Sequence, residues 1–125
     1  MGLRERMAEQ ERQECVPRID KTLQVKRETS LDVDGRRVDF CEYEDAPEGD
    51  FVKVRCDDHE TGVRAEYVWF AAKYPGAVRI RQLFTSMKLN GTKVRCDILT
   101  LKLPGGGTRN VYFDISQMMA DIDYF

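Results

Sequence analysis

The chain has one histidine, one tryptophan, four prolines and four cysteines among its 125 residues. Each scarcity excludes something. A single imidazole leaves only one base for a nucleophile–histidine relay, and nothing places Cys41 or Cys96 beside it. No apolar run approaches the roughly 20 residues that a bilayer span requires, so no membrane partner is expected. Met1 to Gln13 is charged and lacks the apolar centre of a secretory signal. Arg6 stands where a myristoylation signal needs Ser or Thr. A cytoplasmic protein is the expectation. Cys15, Cys41, Cys56 and Cys96 are widely spaced, with no C-x-x-C pair, and read as reduced, buried thiols. No strand–helix–strand alternation is visible, which speaks against a parallel sheet.

What the sequence has in quantity is turn punctuation. Asn90-Gly91 and Asp34-Gly35 are pairs that tolerate φ > 0 at both central positions of a type I′ turn. A turn at Asn90-Gly91 folds Val78 to Leu103 into one long hairpin. It sets Met87 against Val94, Leu83 against Ile98, Ile80 against Leu101 and Val78 against Leu103. The apolar face changes sides near Gln82 and Leu99, as a strand does when it turns a corner. A turn at Asp34-Gly35 pairs Leu31 with Val38 and Arg27 with Glu42. Phe51 to Asp57 and Gly62 to Phe70 both alternate, and a connection over Asp58 to Thr61 would pair Cys56–Val63, Val54–Ala65 and Val52–Tyr67, with Lys53 facing Glu66. After Pro104-Gly105-Gly106-Gly107 comes a strand from Thr108 to Ile115. Only an odd loop length lets its Val111 and Phe113 join Leu99 and Leu101.

These segments predict a mainly β fold: a small antiparallel β-barrel or sandwich of about seven strands. Residues 1–16 form a charged arm, helix or tail, stopped by Pro17. Residues 17–125 form a single β-rich domain. Ser116 is placed to cap a short C-terminal helix over Gln117 to Tyr124.

Charge is unevenly placed. The chain carries a net −2, but residues 1–60 hold 17 acidic and 11 basic side chains and residues 61–125 hold 5 and 9. Between Lys73 and Arg109 there are eight basic residues against one acidic residue, Asp97. In the expected hairpin Arg79 and Arg81 share a face with Lys102, and Lys88, Lys93 and Arg95 share the opposite face near the tip. Two cationic patches suit an acidic protein partner or an anionic ligand. Acidic and basic halves that face each other, within the fold or across a homodimer, are the plain alternative. Nearby Trp69, Phe70, Tyr74 and Phe84 open a second reading, nucleotide or nucleic acid held by cations and stacking, although such binders are usually more basic overall.

Other candidate sites read as ordinary structure. His59 lies in Asp57-Asp58-His59-Glu60, a set of donors that suits a divalent metal. No second Cys/His cluster accompanies it, so it reads as a solvated turn. Glu42, Glu44, Asp45, Glu48 and Asp50 could supply the paired acids of a hydrolase, but read as a solvated strand end and loop. The Gly105-Gly106-Gly107 run leads into a strand, not a helix, so it reads as a hairpin loop and not a phosphate cradle. No metal and no cofactor are expected.

The segment Pro17-Arg18-Ile19-Asp20-Lys21-Thr22-Leu23-Gln24-Val25 resembles the start of a PilZ domain, a small β-barrel whose members often bind cyclic di-guanylate. The family has an R-x-x-x-R segment before its first strand and a D-x-S-x-x-G motif after it. Arg18 matches the second arginine, and Glu14 occupies the place of the first. Asp39 matches the aspartate of the second motif, with Cys41 in place of its serine and Glu44 in place of its glycine. A carboxylate where phosphate would approach is electrostatically unfavourable. The resemblance therefore implies a PilZ-like member that has lost the nucleotide and works through protein contacts. Together the residues predict a non-enzymatic binding or regulatory module, with Arg18, Arg79, Arg81, Lys88, Lys93 and Arg95 as its contact residues. The alternative is a nucleic-acid or cyclic-dinucleotide binding domain. Third comes a small hydrolase or metal site around His59.

Overall fold

The computed structural model describes residues 22–44 and 49–119. The expected arm over residues 1–16 and Arg18 lie outside the described residues, as do residues 120–124 of the expected C-terminal helix, whose described part, residues 117–119, is turn. Among the described residues six strands and one helix follow in order: β1 (Val25–Val33), β2 (Arg36–Tyr43), β3 (Gly49–Arg55), α1 (His59–Lys73), β4 (Val78–Leu89), β5 (Thr92–Lys102) and β6 (Thr108–Asp114). They make one sheet in the order β1-β2-β3-β6-β5-β4. β1 and β4 are its two edges, so the sheet is open rather than a barrel or sandwich.

Both type I′ signals hold. Asp34 and Gly35 have φ of 52° and 84°, and Asn90 and Gly91 have 51° and 81°. Leu31 pairs with Val38, Arg27 with Glu42, Met87 with Val94 and Leu83 with Ile98. The lower half of the long hairpin departs from the expected register. Ile80 is bulged out between Arg79, which pairs with Leu101, and Arg81, which pairs with Thr100. An extra residue on one strand flips the faces of everything beyond it, so Val78 meets Lys102 and not Leu103.

The expected hairpin between Phe51–Asp57 and Gly62–Phe70 does not form. Gly62 to Phe70 lies inside α1. Asp58 caps that helix, its Oδ2 accepting from the Thr61 amide at 2.9 Å, as Asp does at an N-terminus that would otherwise leave its first amides unbonded. The buried residues Gly62, Ala65, Glu66, Trp69 and Phe70 fall at helical spacing. A glycine and a glutamate within that stripe disguise it as alternation. Gly62 sits where an added Cβ would lie 1.9 Å from Met118 Sδ, so any larger residue there would have to push the Met118 side chain aside.

With the helix in that place, β3 has two strand neighbours. It runs antiparallel to β2 and parallel to β6, with Phe51 opposite Tyr112 and Val52 opposite Phe113. A parallel pair therefore forms without strand–helix–strand alternation, because the crossover consists of α1 plus the β4–β5 hairpin. The loop after β5 has the odd length that puts Leu99 beside Val111.

The sheet buries both faces, since successive residues of a strand point to opposite sides. One face carries Val38, Phe40, Val52, Val54, Leu99, Leu101, Val111 and Phe113 under Ala65, Trp69 and Phe70 of α1, with Met118 and Met119 beside them. The other carries Phe51, Met87, Leu89, Val94, Cys96, Ile98 and Tyr112, with Leu23 packed on it. β5 serves both cores, which is the change of face anticipated near Leu99. Each such buried side chain contributes roughly 1.5–3 kcal/mol. Cys41, Cys56 and Cys96 are free and buried.

Candidate functional site

The basic residues of the β4–β5 hairpin separate into groups set by register. The two-residue turn makes Leu89 and Thr92 the closing hydrogen-bonded pair. Pairs then alternate, so Lys88–Lys93, Ser86–Arg95, Phe84–Asp97 and Gln82–Leu99 are the close, non-hydrogen-bonded pairs. Their Cα atoms stand about 4.5 Å apart in such pairs. Lys88 thus lies directly across from Lys93 on the same face of the sheet, with Arg95 diagonal to it. Lys88 and Lys93 are exposed, and neither has a carboxylate partner among the described residues. Like charges directly opposite each other destabilise a sheet.

Arg79 and Arg81 do not share a face, contrary to expectation. The Ile80 bulge turns Arg79 to the helix side. There it donates to Gln82 Oε1 at 2.6 Å and lies over the Tyr67 ring of α1 at 5.8 Å. Arg81 is on the opposite face, opposite Thr100. The cluster the structure brings together is Lys88, Lys93 and Arg95, with Phe84 and Ser86 along the same face.

A second polar constellation, absent from the sequence reading, lies where the end of α1 meets β2, β3 and β6. Asp50 takes two bonds from Arg109, Nε to Oδ2 and a terminal nitrogen to Oδ1, both at 3.0 Å. It also accepts from the Tyr74 hydroxyl at 2.5 Å. Arg109 lies over the Tyr74 ring at 5.7 Å. Burial pushes the Asp50 carboxyl up, but the bonds from Arg109 and Tyr74 and the charges of Arg109 and Lys73 outweigh it and hold it below its ordinary value. Next to it, Glu42 accepts from Arg27 Nε at 3.1 Å, Thr29 Oγ1 at 3.0 Å and Trp69 Nε1 at 3.3 Å. Glu42 and Asp50 are buried, so these two acids are not the solvated run expected of them. Every oxygen of the pair has a donor, and a carboxylate so saturated anchors a helix instead of moving a proton. Tyr74 is committed on both its hydroxyl and its ring, which removes it as a stacking platform for a base.

A third feature lies between α1 and β5. Glu66 and Asp97 are 2% and 5% exposed and adjacent. Burial, then the hydrogen bond and charge of Asp97, push the Glu66 carboxyl up to about 10. At neutral pH Glu66 is therefore a protonated, neutral group.

His59 is the exposed first residue of α1, and Cys56 is buried in the core, its Sγ donating to the Asp58 carbonyl oxygen at 3.4 Å. Among the described residues no group of three His, Cys, Asp or Glu is arranged to hold a metal. The glycine loop closes on itself, with Leu103 N bonded to Gly107 O at 3.1 Å, and leads into β6. Asp39 is exposed and engaged by Ser30 and Arg37, and Cys41 is buried. No described helix is long and apolar enough to cross a membrane. Compared with known proteins, the chain matches no family model, no curated protein and no solved structure.

Proposed function

We propose that the protein is a non-enzymatic binding or regulatory module. Its β4–β5 hairpin receives an acidic protein partner, with Lys88, Lys93 and Arg95 as the central contacts and Arg79 and Arg81 at the margins. The observation that supports this most is the Lys88–Lys93 pair. Two exposed ammonium groups held across one non-hydrogen-bonded pair repel each other, and an anion set between them relieves that cost. The polar groups that are arranged with care, around Asp50 and Glu42, are internally satisfied and anchor the helix. That leaves Lys88 and Lys93 as exposed cations with no carboxylate partner among the described residues.

A cyclic-dinucleotide or nucleic-acid ligand is the second reading, favoured by Phe84 standing exposed beside the same cations. Calorimetric titration with an acidic peptide, a single-stranded oligonucleotide and cyclic di-guanylate separates them. The proposal expects the peptide to bind and the Lys88→Ser/Lys93→Ser double variant to lose about tenfold or more in affinity. Oligonucleotide binding that falls steeply with salt would favour the second reading. Unchanged peptide affinity in the double variant would overturn the first.

A further inference from the structure

β4 is an edge strand of 12 residues, Val78–Leu89, with no acidic side chain in it. Natural sheets protect an edge of that length by shortening it, covering it or placing charges along it. Here β4 carries Arg79, Arg81 and Lys88, yet Val78, Ile80 and Phe84 are 61%, 55% and 41% exposed. The register fixes which backbone groups face outward. Residues in the close pairs bond to nothing on β5, so the amides and carbonyls of Gln82, Phe84, Ser86 and Lys88 point away from the sheet. Those same four residues carry their side chains on the face where Lys93 and Arg95 lie. An outward row of donors and acceptors, a cationic face and exposed apolar side chains thus coincide on one strand.

We infer that β4 is extended by an added strand from the partner: an extended, acidic segment with alternating apolar residues, paired antiparallel or parallel along Gln82 to Lys88. This rests on the proposed function and specifies its mode. Backbone pairing gives affinity, and alternate side chains give selection. Carboxylates along one face of the added strand would reach Lys88, Lys93 and Arg95, while its apolar residues, on the other face, would extend the core beside Leu83 and Met87. A second copy of β4 is a poorer occupant. It would place another Arg79, Arg81 and Lys88 alongside the first set with no carboxylate between them.

The test uses the full chain and a 12-residue peptide of alternating Glu and Val. Its comparison is the same peptide N-methylated at every second residue, which lacks those amide donors but keeps its charge. Strand addition predicts that the N-methylated peptide binds about tenfold or more weakly. It also predicts that the free peptide slows exchange of the Gln82, Phe84, Ser86 and Lys88 amides. Ser86→Pro, which removes an outward amide and no ladder bond, should weaken the peptide to a similar degree. Equal affinity for both peptides, with those four amides exchanging freely, would overturn strand addition and leave the basic-surface reading standing. Failure of the unmodified peptide to bind at all would overturn both. Protection of the four amides that rises with protein concentration in the absence of peptide would assign the edge to a second copy and overturn the inference.

Discussion

Glu66 and Asp97 set two carboxyl groups against each other in the layer between α1 and β5, with almost no access to water. Two adjacent buried carboxylates cannot both ionise cheaply, so Glu66 keeps its proton. Its folded-state value of about 10 exceeds its ordinary value of 4.5. The folded chain therefore binds more protons than the unfolded chain between those two values, and stability falls as pH rises through that window. Thermal unfolding at pH 5, 7 and 9 should show a declining midpoint. Glu66→Gln, neutral at every pH, should flatten the decline. An identical slope in wild type and variant would show that Glu66 ionises without cost.

Asp50 behaves in the opposite sense. Its carboxyl is held low in the folded state, so its contribution is complete above the ordinary carboxylate value and is lost as pH falls through the lowered one. Arg109→Ala leaves Asp50 buried with only Tyr74 and the more distant Lys73, and should cost about 2–3 kcal/mol at neutral pH, less than a wholly buried pair because Arg109 is partly exposed. Denaturant unfolding at pH 7 and pH 3 checks this. The gap between wild type and variant should shrink at the lower pH.

Gly49 and Gly35 should respond differently to alanine. A Cβ on Gly49 would lie 1.7 Å from the Asn110 carbonyl oxygen, backbone that cannot step aside without opening the parallel ladder. Gly35 has open space around it and only its φ of +84° to lose. Gly49→Ala should cost roughly 3 kcal/mol or more, and Gly35→Ala about 1 kcal/mol. Equilibrium unfolding of both variants gives the comparison, and equal costs would contradict the close approach.

Asn90 has a second task beyond its turn. Its Oδ1 accepts from the Leu23 amide at 2.8 Å and its Nδ2 donates to the Leu23 carbonyl at 3.0 Å. Asn90→Gly keeps a residue suited to the turn and removes both bonds. It should destabilise by about 1–2 kcal/mol, together with faster exchange of the Leu23 amide. A neutral substitution would show that the strap is dispensable.

Local chemistry was legible in the sequence, and contacts between distant segments were not. Asn90-Gly91 and Asp34-Gly35 announce their hairpins because the turn itself demands φ > 0. Gly62 to Phe70 misleads, because the residues that make its helical stripe coherent include a glycine fitted to Met118 and a glutamate kept neutral by burial beside Asp97. Neither reads as apolar until its partner is known. Asp58, three residues before Thr61, was the available signal for the helix. The Ile80 bulge, which separates Arg79 from Arg81, leaves no mark in an alternating sequence. Asp50 and Glu42 read as a solvated run because Arg109, Tyr74 and Trp69 reach them only through the fold. Lys88, Lys93 and Arg95 were placed on one face because a tight turn fixes their register at short range.

The β3–β6 seam has a kinetic meaning. Each three-strand unit, β1 to β3 and β4 to β6, is joined by short connections and can assemble from neighbours in sequence. The seam joins residues such as Asp50 and Arg109, which are 59 positions apart. Closing a loop of that size comes before any contact rewards it. Folding speed should thus be governed by the meeting of two preformed halves, and the clamp of Arg109 on Asp50 is among the first long-range interactions available to hold them once they touch.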